Sequence, residues 1–493
     1  MAGQTVWYGL SSIFARSLFY LLTPYFTLKL TGAAYGEMSL VYALIPFLNV
    51  VFTYGIETAY FRFIQKEGNK KEIYNTASVS LIGSTLLLTL LMIAFRLPIA
   101  GIISLKDHPE YITWSALIIA FDTLAVIPLA KLRQEGRPVK FAMVRIAGIM
   151  VIIATTIFFL SVCPALKVQS PDSVWLKFYS EKNDVEYILI ANVAGALVSL
   201  LLLAKEFFSF RYQFNKRLWK QMMIYSLPLI VAGFGGIINE TFDRIMLGWW
   251  APAPTAEAVK AEVGTYSACY KLSILITLFV QAFRMGAEPF FFQQSTGENP
   301  QRVYARVMKF FVITISVMFL AVALFLDEWK YFILNTAMWE GLKIVPILLL
   351  ANMFLGIYYN LSIWYKLTNR TIAGAYITLI GATITLLINY LFIPSYSYMA
   401  CAWATFFCYG AMMIISFLWG QKAYYIPYAW KKLTAFIVIV VSLYFVHRAI
   451  AYFLPGTWAG IISGLFLLVG YVFFIFRIEK TEFRKLPVIG KYI

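Results

Sequence analysis

The chain is a succession of long apolar runs separated by short polar stretches. A helix needs about 20 mostly apolar residues to cross ~30 Å of hydrocarbon. Fourteen runs meet that requirement, at about residues 5–29, 37–61, 74–97, 111–131, 140–163, 186–206, 221–250, 264–292, 304–326, 342–365, 371–393, 398–420, 432–453 and 457–477. They are numbered here as spans 1 to 14. Each run is continuous rather than alternating, and too long for a barrel strand of ~10 residues. Only a helix bonds its own backbone in lipid, so the spans are expected to be helices. Residues 1–6 carry no Lys or Arg and no small-residue cleavage site precedes span 2, so the first run is expected to stay as span 1.

The polar stretches predict the orientation. One alternating set of loops and span edges holds 26 Lys and Arg, among them Arg62, Lys66, Lys131, Arg133, Arg137, Lys140, Lys366 and Lys432. The other set holds eight, including Lys106, Lys167, Lys260 and Arg448. Basic loops stay in the cytoplasm. Both termini are therefore expected there, and the longest outside loop is about 164–185. No loop is large enough for a separate catalytic domain.

Composition agrees with this reading. The 493 residues are 61% hydrophobic and 13% charged, with mean hydropathy +0.74. A soluble domain averages ~45–50% apolar and ~25% charged. This excludes a cytosolic enzyme, a disordered chain and a disulfide scaffold. The net charge of +17 reflects topology, not nucleic-acid binding. Cys163, Cys269, Cys401 and Cys408 fit no metal spacing and read as buried thiols. His108 and His447 are far apart, so no metal or other cofactor is expected.

The halves of the chain resemble each other. Gly36 opens span 2, which ends in Gly55-Ile56-Glu57, then Tyr60-Phe61. Gly264 opens span 8, which ends in Gly286-Ala287-Glu288, then Phe291-Phe292. The implied repeat divides the chain into residues 1–212 (spans 1–6) and 213–425 (spans 7–12). Residues 426–493 hold an appended pair of spans and a tail. Such repeats place substrate sites where they meet.

Charged groups inside spans are the candidate chemistry, because each costs ~2.5–3.5 kcal/mol at the bilayer centre on insertion scales. Lys29 and Arg96 lie at span ends and are expected to snorkel. Glu240 with Arg244, and Arg284 with Glu288, are four residues apart and can pair on one helix. Glu57 and Glu288 sit near cytoplasmic ends. Arg16, Asp122 and Lys271 are harder to neutralise locally, and Arg145 lies about one turn inside span 5. Span 7 combines Pro228, Gly233, Gly235 and Gly236 with Asn239, Glu240, Asp243 and Arg244, which suits either a moving bend or a fixed kink. In span 14, Gly456, Gly460 and Gly464 suggest close helix packing. Nucleotide-binding, zinc-protease and serine-hydrolase motifs are absent from the sequence.

Several segments, in order along the chain, resemble the polysaccharide-biosynthesis branch of the multidrug/oligosaccharidyl-lipid/polysaccharide exporter superfamily, the O-antigen-type flippases. They are Thr31-Gly32 with Tyr35-Gly36, Gly55-Ile56-Glu57 and Arg62 in the first half. In the second they are Tyr225-Ser226-Leu227-Pro228, Asp243-Arg244, Gly264-Thr265-Tyr266, Lys271-Leu272 and Asn389-Tyr390-Leu391-Phe392-Ile393-Pro394. Ser397 and Met399-Ala400 replace glycines often found at that last corner.

The resemblance implies an all-α protein of about 14 spans, with two six-helix lobes around a central cavity and two extra C-terminal helices. It implies a bacterial inner-membrane flippase carrying a polyprenyl-pyrophosphate-linked oligosaccharide from the inner to the outer leaflet, not an enzyme. Membrane lipid, a polysaccharide polymerase and glycosyltransferases would be its partners. Arg16, Arg145, Lys271, Arg244 and Arg284 are then the candidate cations for the pyrophosphate. Asp122 is the candidate for a coupling ion, and Glu57, Asn239, Glu240, Asp243 and Glu288 are secondary polar candidates. The alternatives are a drug or cation antiporter of the same superfamily, disfavoured because span 1 carries Arg16 and no acid, and a membrane-embedded glycan polymerase or acyltransferase.

Overall fold

The computed structural model describes residues 17–18, 20–66, 69–180, 184–295, 297–454 and 456–484. Among them every regular element is helical, and thirteen helices are long and apolar enough to cross a membrane. They coincide with spans 2 to 14. The protein is a multi-pass membrane protein of the expected class. Most of span 1 lies outside the described residues; its end forms the helix Thr23–Lys29.

The helices form two compact units. One contains the chain up to Ala268, with Leu334–Met338 and Ala375–Cys408; the other contains Cys269–Ile333, Trp339–Gly374 and the chain from Tyr409 onward. All four cysteines are buried and free.

In the first unit, span 2 is broken. Gly32–Thr53 and Ile56–Lys66 are separate helices. Between them Tyr54 and Gly55 take φ of 35° and 70°, a left-handed turn that glycine adopts at little cost. The Gly55 carbonyl accepts the backbone N–H groups of Thr58 and Ala59, and also a bond from Ser226 Oγ of span 7 at 3.3 Å. Span 7 itself, where the sequence suggested a bend, runs unbroken over Lys216–Trp250 with Pro228 inside it. The irregularity sits in the neighbouring helix. Span 5 also departs from expectation: it passes through a π turn at Phe158–Val162 and continues to Gln169, so the loop after it is shorter than the apolar pattern indicated.

Glycine permits the closest approaches. A Cβ on Gly36 would lie 1.8 Å from the Lys260 carbonyl oxygen, and one on Gly264 would lie 2.2 Å from the Gly32 carbonyl oxygen. The two contacts are reciprocal: each glycine meets the residue four before the other. That is the signature of a local two-fold axis, here between the openings of spans 2 and 8. Spans 5 and 6 also cross at glycines, where a Cβ on Gly148 or Gly195 would lie 3.1 or 2.6 Å from the carbonyl oxygen of the other. The span 14 glycines do not. Only Gly464 packs, against Phe325, whereas Gly460 has open space at its Cβ position.

Buried acids fasten helix ends. Glu206, after span 6, accepts bonds from Lys140 Nζ at 2.6 and 2.8 Å and from Arg137 at 2.9 Å, at the start of span 5. Glu479, after span 14, is bonded by Lys309 of span 9 at 2.9 Å and paired with Lys432 of span 13 at 2.5 Å. The appended pair is thereby pinned to the second unit. Burial raises both carboxyl pKa values, but the lysine hydrogen bonds and the surrounding positive charge outweigh it, so both lie below the ordinary value.

Gly36→Ala should block the crossing at Lys260 and cost at least about 1–3 kcal/mol from overpacking, read as a lowered unfolding midpoint in detergent; an unchanged midpoint would refute the close approach. The acid clusters add a pH dependence. A carboxyl with a depressed folded pKa stabilises above its unfolded value of ~4.3 and loses that contribution as pH falls through the folded value. The unfolding midpoint should therefore drop on acidification below about pH 4. Glu206→Gln should lose on the order of 3 kcal/mol at neutral pH and show a flatter acid limb.

Candidate functional site

The intramembrane charges resolve into small clusters. Arg16, the candidate in span 1, lies outside the described residues. Lys29 and Arg96 are exposed at helix ends, as snorkelling requires.

On span 7, Asn239 and Asp243 are buried, Arg244 is half-buried and Glu240 is exposed. The pairing is not the one expected from spacing. Arg244 donates to the backbone carbonyl of Glu240 at 2.9 Å, and its ion pair is with the adjacent Asp243, also at 2.9 Å. Asp243 is in turn held by the Tyr266 hydroxyl from span 8. The Arg244 guanidinium lies over the Tyr266 ring, 5.5 Å from its centre. Tyr266 thus orients both members of the pair, with its ring face and with its hydroxyl. Asn239 donates to the Thr378 carbonyl at 3.2 Å and accepts from the Thr385 hydroxyl at 3.4 Å.

On spans 4 and 5, Asp122 and Arg145 are both exposed. Asp122 lies within the electrostatic reach of Arg145. The Arg145 guanidinium is 5.9 Å from the centre of the Phe141 ring.

Glu57 pairs with Arg133, at the end of span 4. In the second unit Glu288 pairs with Lys366, at the end of span 10, at 2.7 Å. The partners are 76 and 78 residues apart in sequence. One bridge joins the ends of the second and fourth spans of its half; the other joins the ends of the eighth and tenth spans. Behind them the packing repeats as well. Tyr60 meets Tyr74 edge-on at 6.3 Å, and Phe291 meets Tyr304 edge-on at 5.2 Å. The halves therefore share a local architecture as well as a sequence pattern.

The second unit adds a charge. Arg284 Nε donates to the same Glu288 oxygen at 2.7 Å, so the expected four-residue pair forms, and its guanidinium stacks over Tyr359 at 4.7 Å. A shallow cleft of about 10 Å³ opens beside these residues and is lined also by Asn360, Phe283 and Phe291. Lys271 also belongs to this unit and is half-buried.

Two sequence families match the chain. Residues 29–169 match one described as polysaccharide biosynthesis protein, and residues 183–295 match a second with the same description. Both stretches are thus similar to polysaccharide-biosynthesis proteins. Solved structures share its fold. The lipid II flippase MurJ, in an inward closed conformation, is 15% identical with a TM-score of 0.72, covering 95% of this chain and 98% of its own. An inward-facing multidrug resistance MATE family transporter of the MOP superfamily is 15% identical with a TM-score of 0.60, covering 88% and 95%. The Vibrio cholerae MATE transporter VcmN, in its bent form, is 12% identical with a TM-score of 0.54, covering 85% and 96%. No curated protein matches by sequence.

Several residues of these clusters were not singled out by sequence reasoning. Lys366 read as a loop base, and Tyr266 as a motif residue without a role. Asn360 and Tyr359 lay unnoticed in an apolar span. A signal existed for Lys366: it stands in the second half where Arg133 stands in the first.

Tyr266→Phe keeps the ring under Arg244 but removes the donor to Asp243. The expected cost is about 1–3 kcal/mol, measured as a fall in the unfolding midpoint. A midpoint equal to that of the unaltered protein would show that Asp243 does not depend on Tyr266.

Proposed function

We propose that the protein carries a polyprenyl-pyrophosphate-linked oligosaccharide from the inner to the outer leaflet of the bacterial cytoplasmic membrane, by alternating access of its two six-span halves, 1–212 and 213–425. Residues 426–493 add the appended pair and a tail, and both termini lie on the cytoplasmic side. The observation that carries the reading is the charge at the end of span 8 in a chain with this fold: one carboxylate, Glu288, between two bases, Arg284 and Lys366. The excess is positive, as an anionic head group requires. Arginine forks suit phosphate oxygens, so Arg16, Arg145, Arg244 and Arg284, with Lys271, are the groups assigned to the pyrophosphate. Asp122, beside Arg145, is assigned to the coupling ion. Glu57, Asn239, Glu240, Asp243 and Glu288 hold the cations in place. An inside-negative potential helps expel an anion, by ~2.3 kcal/mol per charge per 100 mV. Glycosyltransferases and a polysaccharide polymerase would act before and after this step.

The test is surface glycan in cells lacking the natural protein. Arg16→Ala should abolish it while the variant still inserts in normal amount; normal glycan would remove Arg16 from the mechanism. Raised resistance to cationic dyes on expression would instead favour a drug antiporter, and covalent change of a lipid-linked glycan by purified protein would favour a polymerase or acyltransferase.

A further inference from the structure

In the first compact unit the openings of spans 2, 4, 6 and 8 meet in one charged cluster. Lys260, before the glycine contact of span 8, donates from Nζ to Glu37 Oε1 at 2.8 Å and lies 3.8 Å from Asp107. His108 Nε2 lies 3.8 Å from the same Glu37 oxygen, and its Nδ1 lies 2.9 Å from Glu110. The imidazole stacks on the Tyr111 ring, with 4.7 Å between centres and 8° between planes. Glu186 of span 6, bonded by Trp114 at 3.0 Å, is within the electrostatic reach of Tyr111. Lys260 is buried and Glu37 half-buried. The His108 side chain is 34% exposed, so protons reach it from solution.

The cluster is divided between the two halves of the chain. The acids Glu37, Asp107, Glu110 and Glu186 belong to residues 1–212, as His108 does, and Lys260 belongs to 213–425. Two bases from opposite halves therefore converge on one carboxylate oxygen. The other charges of these openings lie aside: Lys106 is exposed against Gly101, Glu257 is exposed, and Glu262 is bonded by Ser397. At the crossing itself glycine meets backbone, so no side chains interlock between Gly36 and Gly264. Further bonds across the division are neutral: Ser104 Oγ donates to the Gly248 carbonyl at 3.0 Å, and Trp249 Nε1 donates to that of Ile102. The Lys260–Glu37 pair is thus the part of this contact that a change of charge can loosen.

We propose that His108 is a proton switch on the contact between spans 2 and 8: its protonation releases Lys260 from Glu37 and lets the two openings part. The inference rests on the transport reading above, which puts this end of the spans outside, and adds the group through which outer pH acts on the halves. The sign follows from what parting changes. Glu37, Asp107, Glu110 and Glu186 attract an imidazolium both before and after, because they stay with His108 on the first half. What parting removes is its repulsion by Lys260. A charged His108 also remains as counter-ion to Glu37, where a carboxylate left alone would be costly. Protonation therefore favours the parted state, and a neutral His108 leaves Glu37 to Lys260. Histidine is suited to this task because its charge changes between about pH 5 and 8.

The experiment places spin labels on Ile102→Cys and Ala256→Cys, exposed positions on the two sides of the contact, in the full-length protein in lipid nanodiscs. The four native cysteines are buried and stay in place. Pulsed EPR measures the distance between the labels at about pH 7.5 and 5.5, either side of the histidine range. A longer distance should gain on the short one by about tenfold at the lower pH, an ordinary size for coupling between two sites. His108→Gln should hold the short distance at both pH values. His108→Lys, a permanent cation, should show the longer one at both. Lys260→Gln should also lengthen the distance at both, and adding His108→Lys to it should change nothing further, because the repelled charge is gone. That last result separates a switch from a histidine that only ties its own loop. His108→Gln reports even if Lys260→Gln fails to fold. A pH response that survives His108→Gln, a longer distance that gains as pH rises, or a single distance at every pH in the unaltered protein would overturn the proposal. The expected distances without movement of lipid-linked glycan in vesicles would instead sink the transport reading and leave the switch standing.

Discussion

A charge in hydrocarbon must find an opposite charge, a ring face or water, and much of this structure follows from that constraint. Asp243 is buried on span 7, and it is tolerable because Arg244 and the Tyr266 hydroxyl close on it. Glu206 and Glu479 are buried at the ends of spans 6 and 14, and each gathers two bases from other helices. The Glu206 and Glu479 pairings fix one helix end against another. The polar groups that a hydropathy profile counts as interruptions act as fasteners where apolar packing cannot discriminate, since lipid tails are as apolar as leucine.

Glycine supplies the second element of order. Spans 2 and 8 touch backbone to backbone at Gly36 and Gly264, each facing the carbonyl of the residue four before the other. Beside this crossing Lys260 donates to Glu37 at 2.8 Å, and Glu37 also receives the Tyr111 hydroxyl at 3.5 Å. The ion pair and the glycine contact form together: the helices approach closely enough for a short salt bridge only because no side chain stands between them.

The spans were legible because hydrophobicity over twenty residues is a property of the chain itself. The end-to-end repeat was legible for the same reason, through Gly55-Ile56-Glu57 and Gly286-Ala287-Glu288. The partners of the charges were not. Spacing on one helix correctly joins Arg284 to Glu288 but fails for Arg244. There a residue one position away takes the salt bridge, and the residue four away offers only its carbonyl. Lys366, Arg133, Lys309 and Lys432 looked like solvated loop charges, because their acids arrive from helices distant in sequence. The glycines of span 14 misled in the opposite direction. Their period is that of a packing stripe, yet only one of them meets a neighbour.

The repeated motif also shows what a sequence leaves open. Gly55 and Gly286 hold equivalent places before an acid that bridges to the second helix onward. Gly55 is left-handed and ends a helix; Gly286 sits inside a continuous one. Glycine permits either state with little difference in energy, so the surroundings decide. At Gly55 the carbonyl, which already accepts from the Thr58 and Ala59 N–H groups, is also met by Ser226 of span 7, two residues before Pro228. At Gly286 a Cβ would meet nothing within 4 Å, and the helix runs on through Pro289. One motif thus occupies two backbone states in a single molecule. The state follows the neighbour: span 7 packs Ser226 and Leu229 against Gly55, whereas Gly286 has open space at its Cβ position.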